Sequence, residues 1–203
     1  IANYSYKNLE LLLVFFAALW LRLVNLGYSD YQGDEIKAFL IPQKGRSVID
    51  FLLTQRKGPI QFIVTYLLQF ITPNYANRFL VRLPFAVAGS LAVLFFFKLV
   101  FMHTGNKKVA LFSSLFMATN GFLVGLSRIA QYQSFVIFLM ILALYFFSLS
   151  VEKDSWKKTG IYLGFISWAL SILSHYDGVF IGPFVAYLLY MWAKKYNLLS
   201  AKK

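Results

Sequence analysis

Five short groups of polar residues stand out in an otherwise apolar chain. The first is Gly33-Asp34-Glu35, where Asp34 or Glu35 could act as a general base or bind a metal ion. The second is Arg56-Lys57-Gly58-Pro59, where a compact ammonium group precedes a helix start and suits a lipid phosphate. Arg78 and Arg82 flank the run Phe79-Leu80-Val81 and are followed by Leu83-Pro84. Ser127-Arg128-Ile129-Ala130-Gln131-Tyr132-Gln133 interrupts apolar sequence with a cation and two amides, and Ser174-His175-Tyr176-Asp177-Gly178 places an imidazole two residues from a carboxylate. Each group also has a purely structural reading. Asp34 can cap a helix running through Ile36, Phe39 and Leu40, Lys57 can snorkel to a membrane surface, Pro84 fits the first turn of a helix, and His175 with Asp177 can form a turn.

The surrounding sequence says what must position these groups. Of 203 residues, 59% are hydrophobic and only 14% charged, with a mean hydropathy of +0.63; this is the composition of a membrane protein. A helical crossing needs about 20 mostly apolar residues, and segments near 9–26, 83–101, 108–126, 133–151, 159–174 and 179–193 read as spans. The sequence therefore predicts an all-α polytopic bundle of about six transmembrane helices, forming one domain over 1–203, with 27–82 as its first extracytoplasmic loop. The apolar run from Leu11 to Leu26 lacks a small-residue cleavage site and reads as a retained span. The ending just after an apolar segment, at Lys202 and Lys203, is expected of the N-terminal part of a longer protein.

The net charge of +12 does not indicate a nucleic-acid partner, because the cations lie between apolar stretches instead of on one wettable face. There is no Cys, which excludes disulfides, thiolate chemistry and Cys-based metal sites. Ile60 to Ile71 is short for a crossing, and Gln61, Thr65 and Gln69 form a polar stripe opposite Phe62, Ile63, Tyr66, Leu67 and Phe70. That pattern predicts an amphipathic juxtamembrane helix. With it outside the bilayer core, Lys107, Lys108, Lys153, Lys157, Lys158, Lys194 and Lys195 share the cytoplasmic side with both termini. Asp34, Glu35, Lys57, Arg78, Arg82, Arg128, His175 and Asp177 are then expected at the opposite, outer surface.

The order of these groups resembles the glycosyltransferase C superfamily. A span is followed by Gly-Asp-Glu, Lys-Gly-Pro with a short amphipathic helix, Arg-Leu-Pro opening a span, and Ser-Arg between spans. More closely, it is similar to bacterial relatives of dolichyl-phosphate-mannose protein mannosyltransferases and of lipid A aminoarabinose transferases, over nearly the whole chain. The resemblance implies an enzyme of the prokaryotic plasma membrane that takes a sugar from a polyprenyl-phosphate carrier on the extracytoplasmic face. It implies that Asp34, with Glu35 beside it, activates the acceptor, and that Lys57, Arg82 and Arg128 contact the donor phosphate. Arg78, Gln131, Tyr132, His175, Tyr176 and Asp177 are further candidates for substrate binding. Gly58 departs from the family pattern, which commonly has a second Pro there, and Gln131 stands where Arg or an acidic residue is frequent.

These residue types fit direct inverting displacement, with a base for the acceptor hydroxyl and cations for the departing phosphate. A two-carboxylate retaining scheme needs a second carboxylate opposite the first, which adjacent Asp34 and Glu35 do not guarantee. A divalent metal ion at Asp34 is the only cofactor suggested, without a clear ligand cluster. The partners expected are a polyprenyl-phosphate sugar, membrane lipids and an acceptor that is protein, lipid or glycan. A transporter or flippase of lipid-linked sugars would place charge within its spans, yet 109–126 and 133–151 contain none. A non-catalytic scaffold is the third reading.

Overall fold

The computed structural model describes residues 9–39, 47–55 and 57–198. Leu40, Arg56 and the Lys202–Lys203 tail, named above, lie outside them. The described residues are helical: α1 (Leu9–Leu23), α2 (Gly33–Ile36), α3 (Val48–Leu53), α4 (Pro59–Leu68), α5 (Arg78–Thr104), α6 (Lys107–Thr119), α7 (Gly121–Ser127), α8 (Gln133–Glu152), α9 (Thr159–Ser174) and α10 (Gly182–Lys195). Short 3-10 turns precede α5, α9 and α10.

Length separates these helices into two sets. α5 and α8, with 27 and 20 residues, are long and apolar enough to cross a membrane, and α6 with α7 makes a third span if the pair, bent by 60°, is counted as one. α1, α9 and α10 have 15, 16 and 14 residues. By length, the six spans expected from hydropathy therefore become two or three. Continuous apolar sequence does not require continuous helix: Asn120 ends α6 in an extended conformation while its side chain caps α7 through the Leu123 N–H.

Sequence and local structure agree at the other ends too. Asn77 caps α5 by accepting from the Leu80 N–H at 3.1 Å, so the helix opens at Arg78 instead of near residue 83, and Pro84 falls inside it, beyond the first turn. α4 starts on Pro59 at its first position, where a missing N–H costs nothing. α2 is a single turn whose cap is Gln32, so Asp34 is not an N-cap; nor does the helix extend to Phe39.

Packing follows small residues. Ala18 of α1, Ala92 and Val93 of α5, and Met117 and Ala118 of α6 form one buried cluster against Ile137, Phe138 and Ile141 of α8. α8 and α9 approach so closely that a Cβ on Gly160 would lie 2.7 Å from the Phe146 carbonyl oxygen, and one on Gly164 would lie 2.8 Å from the Phe147 ring. α10 completes that side with Val185 and Leu188 against Ala143 and Phe147.

Helix α4 turns its polar stripe inward. Gln61 and Thr65 are fully buried, the Thr65 hydroxyl donates to the Ala38 carbonyl at 3.0 Å, and Gln69 Nε2 donates to the Tyr75 hydroxyl at 2.8 Å. Ile63, Leu67 and Phe70 face outward. In water this would be inverted; facing inward, Thr65 and Gln69 find partners, whereas the buried Gln61 amide has no hydrogen-bond partner among the described residues.

Candidate active site

The five polar groups meet at one end of the bundle, although up to about 140 residues separate them along the chain. They assemble into two clusters that begin at adjacent residues, Glu35 and Asp34.

The Glu35 cluster is enclosed. The one-turn helix α2 drives Glu35 into the bundle, where its side chain is completely buried. Arg82, from the second turn of α5, donates to it twice, through Nε to Oε1 at 2.8 Å and through Nη2 to Oε2 at 2.7 Å. The Gln32 N–H donates to Oε2 at 2.8 Å and the Ala130 N–H to Oε1 at 2.9 Å. Burial pushes the carboxyl group up, but the bonds from Arg82, Gln32 and Ala130 outweigh it and hold Glu35 below the ordinary glutamate value. Arg82 also donates to the carbonyls of Leu26, Ser29 and Asp30 at 2.9, 3.1 and 3.0 Å. Its five N–H groups are thus all taken, and Tyr31 covers its guanidinium with the ring centroid 5.4 Å away. Arg78, one turn earlier, pairs with the exposed Asp30.

Arg128 stands apart from this pair. Half-buried in the turn after α7, it donates to the Leu21 and Asn25 carbonyls at 2.9 and 3.3 Å, closing the end of α1 and leaving its other N–H groups without a partner among the described residues. Asn25, Leu26, Tyr28, Ser29, Gln32, Arg82, Gly125, Arg128 and Ile129 line a cavity of about 280 Å³ here.

The Asp34 cluster is open. Asp34 has 63% of its side chain exposed and accepts from Lys37 Nζ at 3.2 Å. It acts electrostatically on Lys57 and on Tyr132. Burial lowers the Lys57 ammonium group, Asp34 counters that, and Lys37 adds to it. Lys57 sits above the Tyr132 ring at 5.5 Å from its centroid. Tyr132 in turn stacks on His175, with centroids 4.0 Å apart and planes 16° from parallel, and Tyr176 approaches the same imidazole at 3.9 Å. Asp177 places a carboxylate oxygen 3.0 Å from His175 Nδ1.

Gly58 is what lets Lys57 reach this position. A Cβ there would lie 1.9 Å from the Leu173 carbonyl oxygen and 2.7 Å from the Ser174 carbonyl carbon. Only a residue without a side chain allows the start of α4 to touch the end of α9, next to His175. Gly58, where the resemblance led us to expect a second Pro, is thus the residue that lets the start of α4 close on the end of α9.

Gln131 is buried behind Tyr132 and presents its backbone N–H to the Ile129 carbonyl at 2.9 Å. Among the described residues no group of three His, Asp or Glu side chains could hold a metal ion. One charged residue escaped the sequence reading of the site: Arg22, almost fully buried in α1, donates to the Ala18 and Ala118 carbonyls at 3.1 Å each, beside the break between α6 and α7. Its signal was a guanidinium inside an apolar run. The Ala130 N–H, a backbone ligand of Glu35, has no sequence signal.

A family model described as dolichyl-phosphate-mannose-protein mannosyltransferase matches residues 57–202. Comparison with curated proteins gave no match, and neither did comparison with solved structures.

Proposed function

The chain belongs to the dolichyl-phosphate-mannose-protein mannosyltransferase family, and from that premise we propose that it moves a sugar from a polyprenyl-phosphate donor to an acceptor at the extracytoplasmic face. The family match and the apolar helices make it a membrane glycosyltransferase. The donor, the direction and the site go further, and one observation carries them: the exposed carboxylate of Asp34 shares a cluster with the Lys57 ammonium group at the end of the bundle where the loops converge.

In this reading Asp34 accepts the hydroxyl proton of the acceptor, and the acceptor oxygen attacks the anomeric carbon from the face opposite the phosphate, with inversion. Lys57 offsets the charge that develops on the leaving phosphate. Arg128, which keeps N–H groups free, serves as the second phosphate contact. Arg82 has no free N–H and acts indirectly, by holding Glu35 and the loop that carries Asp34. Tyr132, His175, Tyr176 and Asp177 border the sugar and phosphate. If a divalent ion takes part, Asp34 is the carboxylate able to reach it.

The same reading sets the membrane arrangement. α1, α9 and α10 act as shorter crossings beside α5, α8 and the bent α6–α7 pair, so that the Lys-rich loops face the cytoplasm of a prokaryotic cell and the Asp34 cluster faces outward. The inward polar stripe of α4 supports this, because its exposed Ile63, Leu67 and Phe70 then contact lipid.

The test is to incubate the full-length protein in membranes with a panel of radiolabelled polyprenyl-phosphate sugars and follow the label. Transfer to an acceptor is expected with the natural chain and its loss, by about 10²-fold or more, with Asp34→Asn. Unchanged turnover in Asp34→Asn removes that residue from the base role, and no transfer from any donor by the natural chain overturns the glycosyltransferase reading.

A further inference from the structure

Arg22 carries one polar atom that its protein neighbours do not satisfy. The residue is 1% exposed, and Nη1 donates to the Ala18 and Ala118 carbonyls at 3.1 Å each. Nε has no hydrogen-bond partner among the described residues. A guanidinium N–H left unbonded away from water is unfavourable, and buried polar groups in folded proteins are as a rule paired with protein or with an ordered water. Arg22 lines a cavity of about 10 Å³ together with Gly89 of α5, Ser127 at the end of α7 and Ser134 in the first turn of α8, closed by Met117 and Ile137. That volume is about what a single water requires.

A glycine keeps the space open. A Cβ on Gly89 would lie 2.1 Å from Ser127 Oγ and 3.1 Å from Arg22 Nε. Nε and Oγ are therefore at most about 5 Å apart, a gap that one water oxygen about 2.9 Å from each can bridge. Ser127 and Ser134 are both buried, and each hydroxyl already donates its proton, to the Leu123 carbonyl at 2.7 Å and to the Leu126 carbonyl at 3.1 Å. Their oxygens are left to accept. One donor and two acceptors around the cavity are the set that satisfies a water through three bonds. A small anion fits less well, because it would find Nε as its one donor. The guanidinium charge is also met already by the Ala118 carbonyl in the last turn of α6, at the negative end of that helix.

We propose that Arg22, Ser127 and Ser134 hold one buried water, which accepts from the Arg22 Nε–H and donates one proton to each serine oxygen. The water joins α1 to the end of α7 and the start of α8, beside the break between α6 and α7. The site lies outside the Asp34 and Glu35 clusters and does not depend on the transfer reaction.

The test places the full-length protein, with isotopically labelled arginine, in lipid bilayers and follows magnetisation transfer from water protons to arginine Nε–H groups by solid-state NMR. Arg22→Lys identifies the Arg22 signal by its loss. In the natural chain that signal should receive magnetisation from water and yet exchange with deuterated solvent more slowly than the signal of the half-buried Arg128, and it should not move when chloride in the buffer is replaced by bromide. Gly89→Ala pushes a methyl group into the gap beside Ser127 Oγ and should abolish the transfer from water. Ser127→Ala removes one acceptor without adding bulk, so it keeps the test open if Gly89→Ala fails to fold; deuterium exchange at the Arg22 Nε–H should then be faster than in the natural chain. An Arg22 signal that receives nothing from water, that shifts on going from chloride to bromide, or that is unchanged in both variants overturns the proposal.

Discussion

Asp34 and Glu35 are joined by one peptide bond and their carboxyl groups live under opposite conditions. Glu35 is sealed from solvent, bound by two N–H groups of Arg82 and two of the backbone. Asp34 is mostly exposed, bonded at 3.2 Å to an equally exposed Lys37. A single helical turn from Gly33 to Ile36 sends the two side chains in different directions. The contrast teaches that one carboxylate of the acidic pair is built into the bundle while its neighbour stays accessible, which in the proposed function leaves Asp34 to operate on a floor that Glu35 builds.

The sharpest way to break this comparison is to remove the enclosed carboxylate. Glu35→Ala leaves Arg82 as a buried cation without its counter-charge and should cost about 3–5 kcal/mol of stability, read as a large drop in thermal unfolding temperature in detergent. The same residue predicts an acid response. Because its folded pKa is depressed, the stabilisation is complete above the ordinary value of 4.5 and is lost as pH falls below it toward the folded value. Unfolding of the natural chain should therefore steepen in that window, and Glu35→Gln should flatten the dependence.

A smaller effect is expected at the joint between the open cluster and the bundle. Gly58→Ala drives a Cβ into the backbone of Leu173 and Ser174, so α4 must shift, at a cost of about 1–3 kcal/mol. Lys57 would move off Tyr132 with it, and sugar transfer should fall by more than the stability loss accounts for. The smallest effect on folding belongs to Asp34→Asn, which gives up one exposed ion pair worth under about 1 kcal/mol. Equal destabilisation by Glu35→Ala and Asp34→Asn would show that the division of roles is wrong.

How much of this was legible beforehand differs from residue to residue. Hydropathy found the apolar segments that became α1, α5, α8, α9 and α10, because burial in lipid and helix formation ask for the same residues. It could not see the break at Asn120, since a capping side chain and 13 residues of uninterrupted helix before it leave the mean hydropathy unchanged. The polar stripe of α4 was readable as a period, but which side it faced depended on the carbonyl of Ala38 and the hydroxyl of Tyr75. At the site, residue types and order picked out Asp34, Glu35, Lys57, Arg82 and Arg128, which the fold brings to one end of the bundle. They could not tell an arginine with spare N–H groups, Arg128, from one with none, Arg82, because the acceptors of Arg82 include three backbone carbonyls.

The bend between α6 and α7 bears on the membrane itself. Taken as one span with α6 along the bilayer normal, its 13 residues rise about 20 Å, and the seven of α7, inclined by 60°, add only about 5 Å. That total is about 5 Å short of a hydrocarbon layer about 30 Å thick. Bilayers answer such mismatch by thinning locally, while the buried Arg22 holds the Ala18 and Ala118 carbonyls together beside the bend. In the proposed function, such thinning would bring a carrier lipid's headgroup closer to the end of the bundle that holds Asp34 and Lys57.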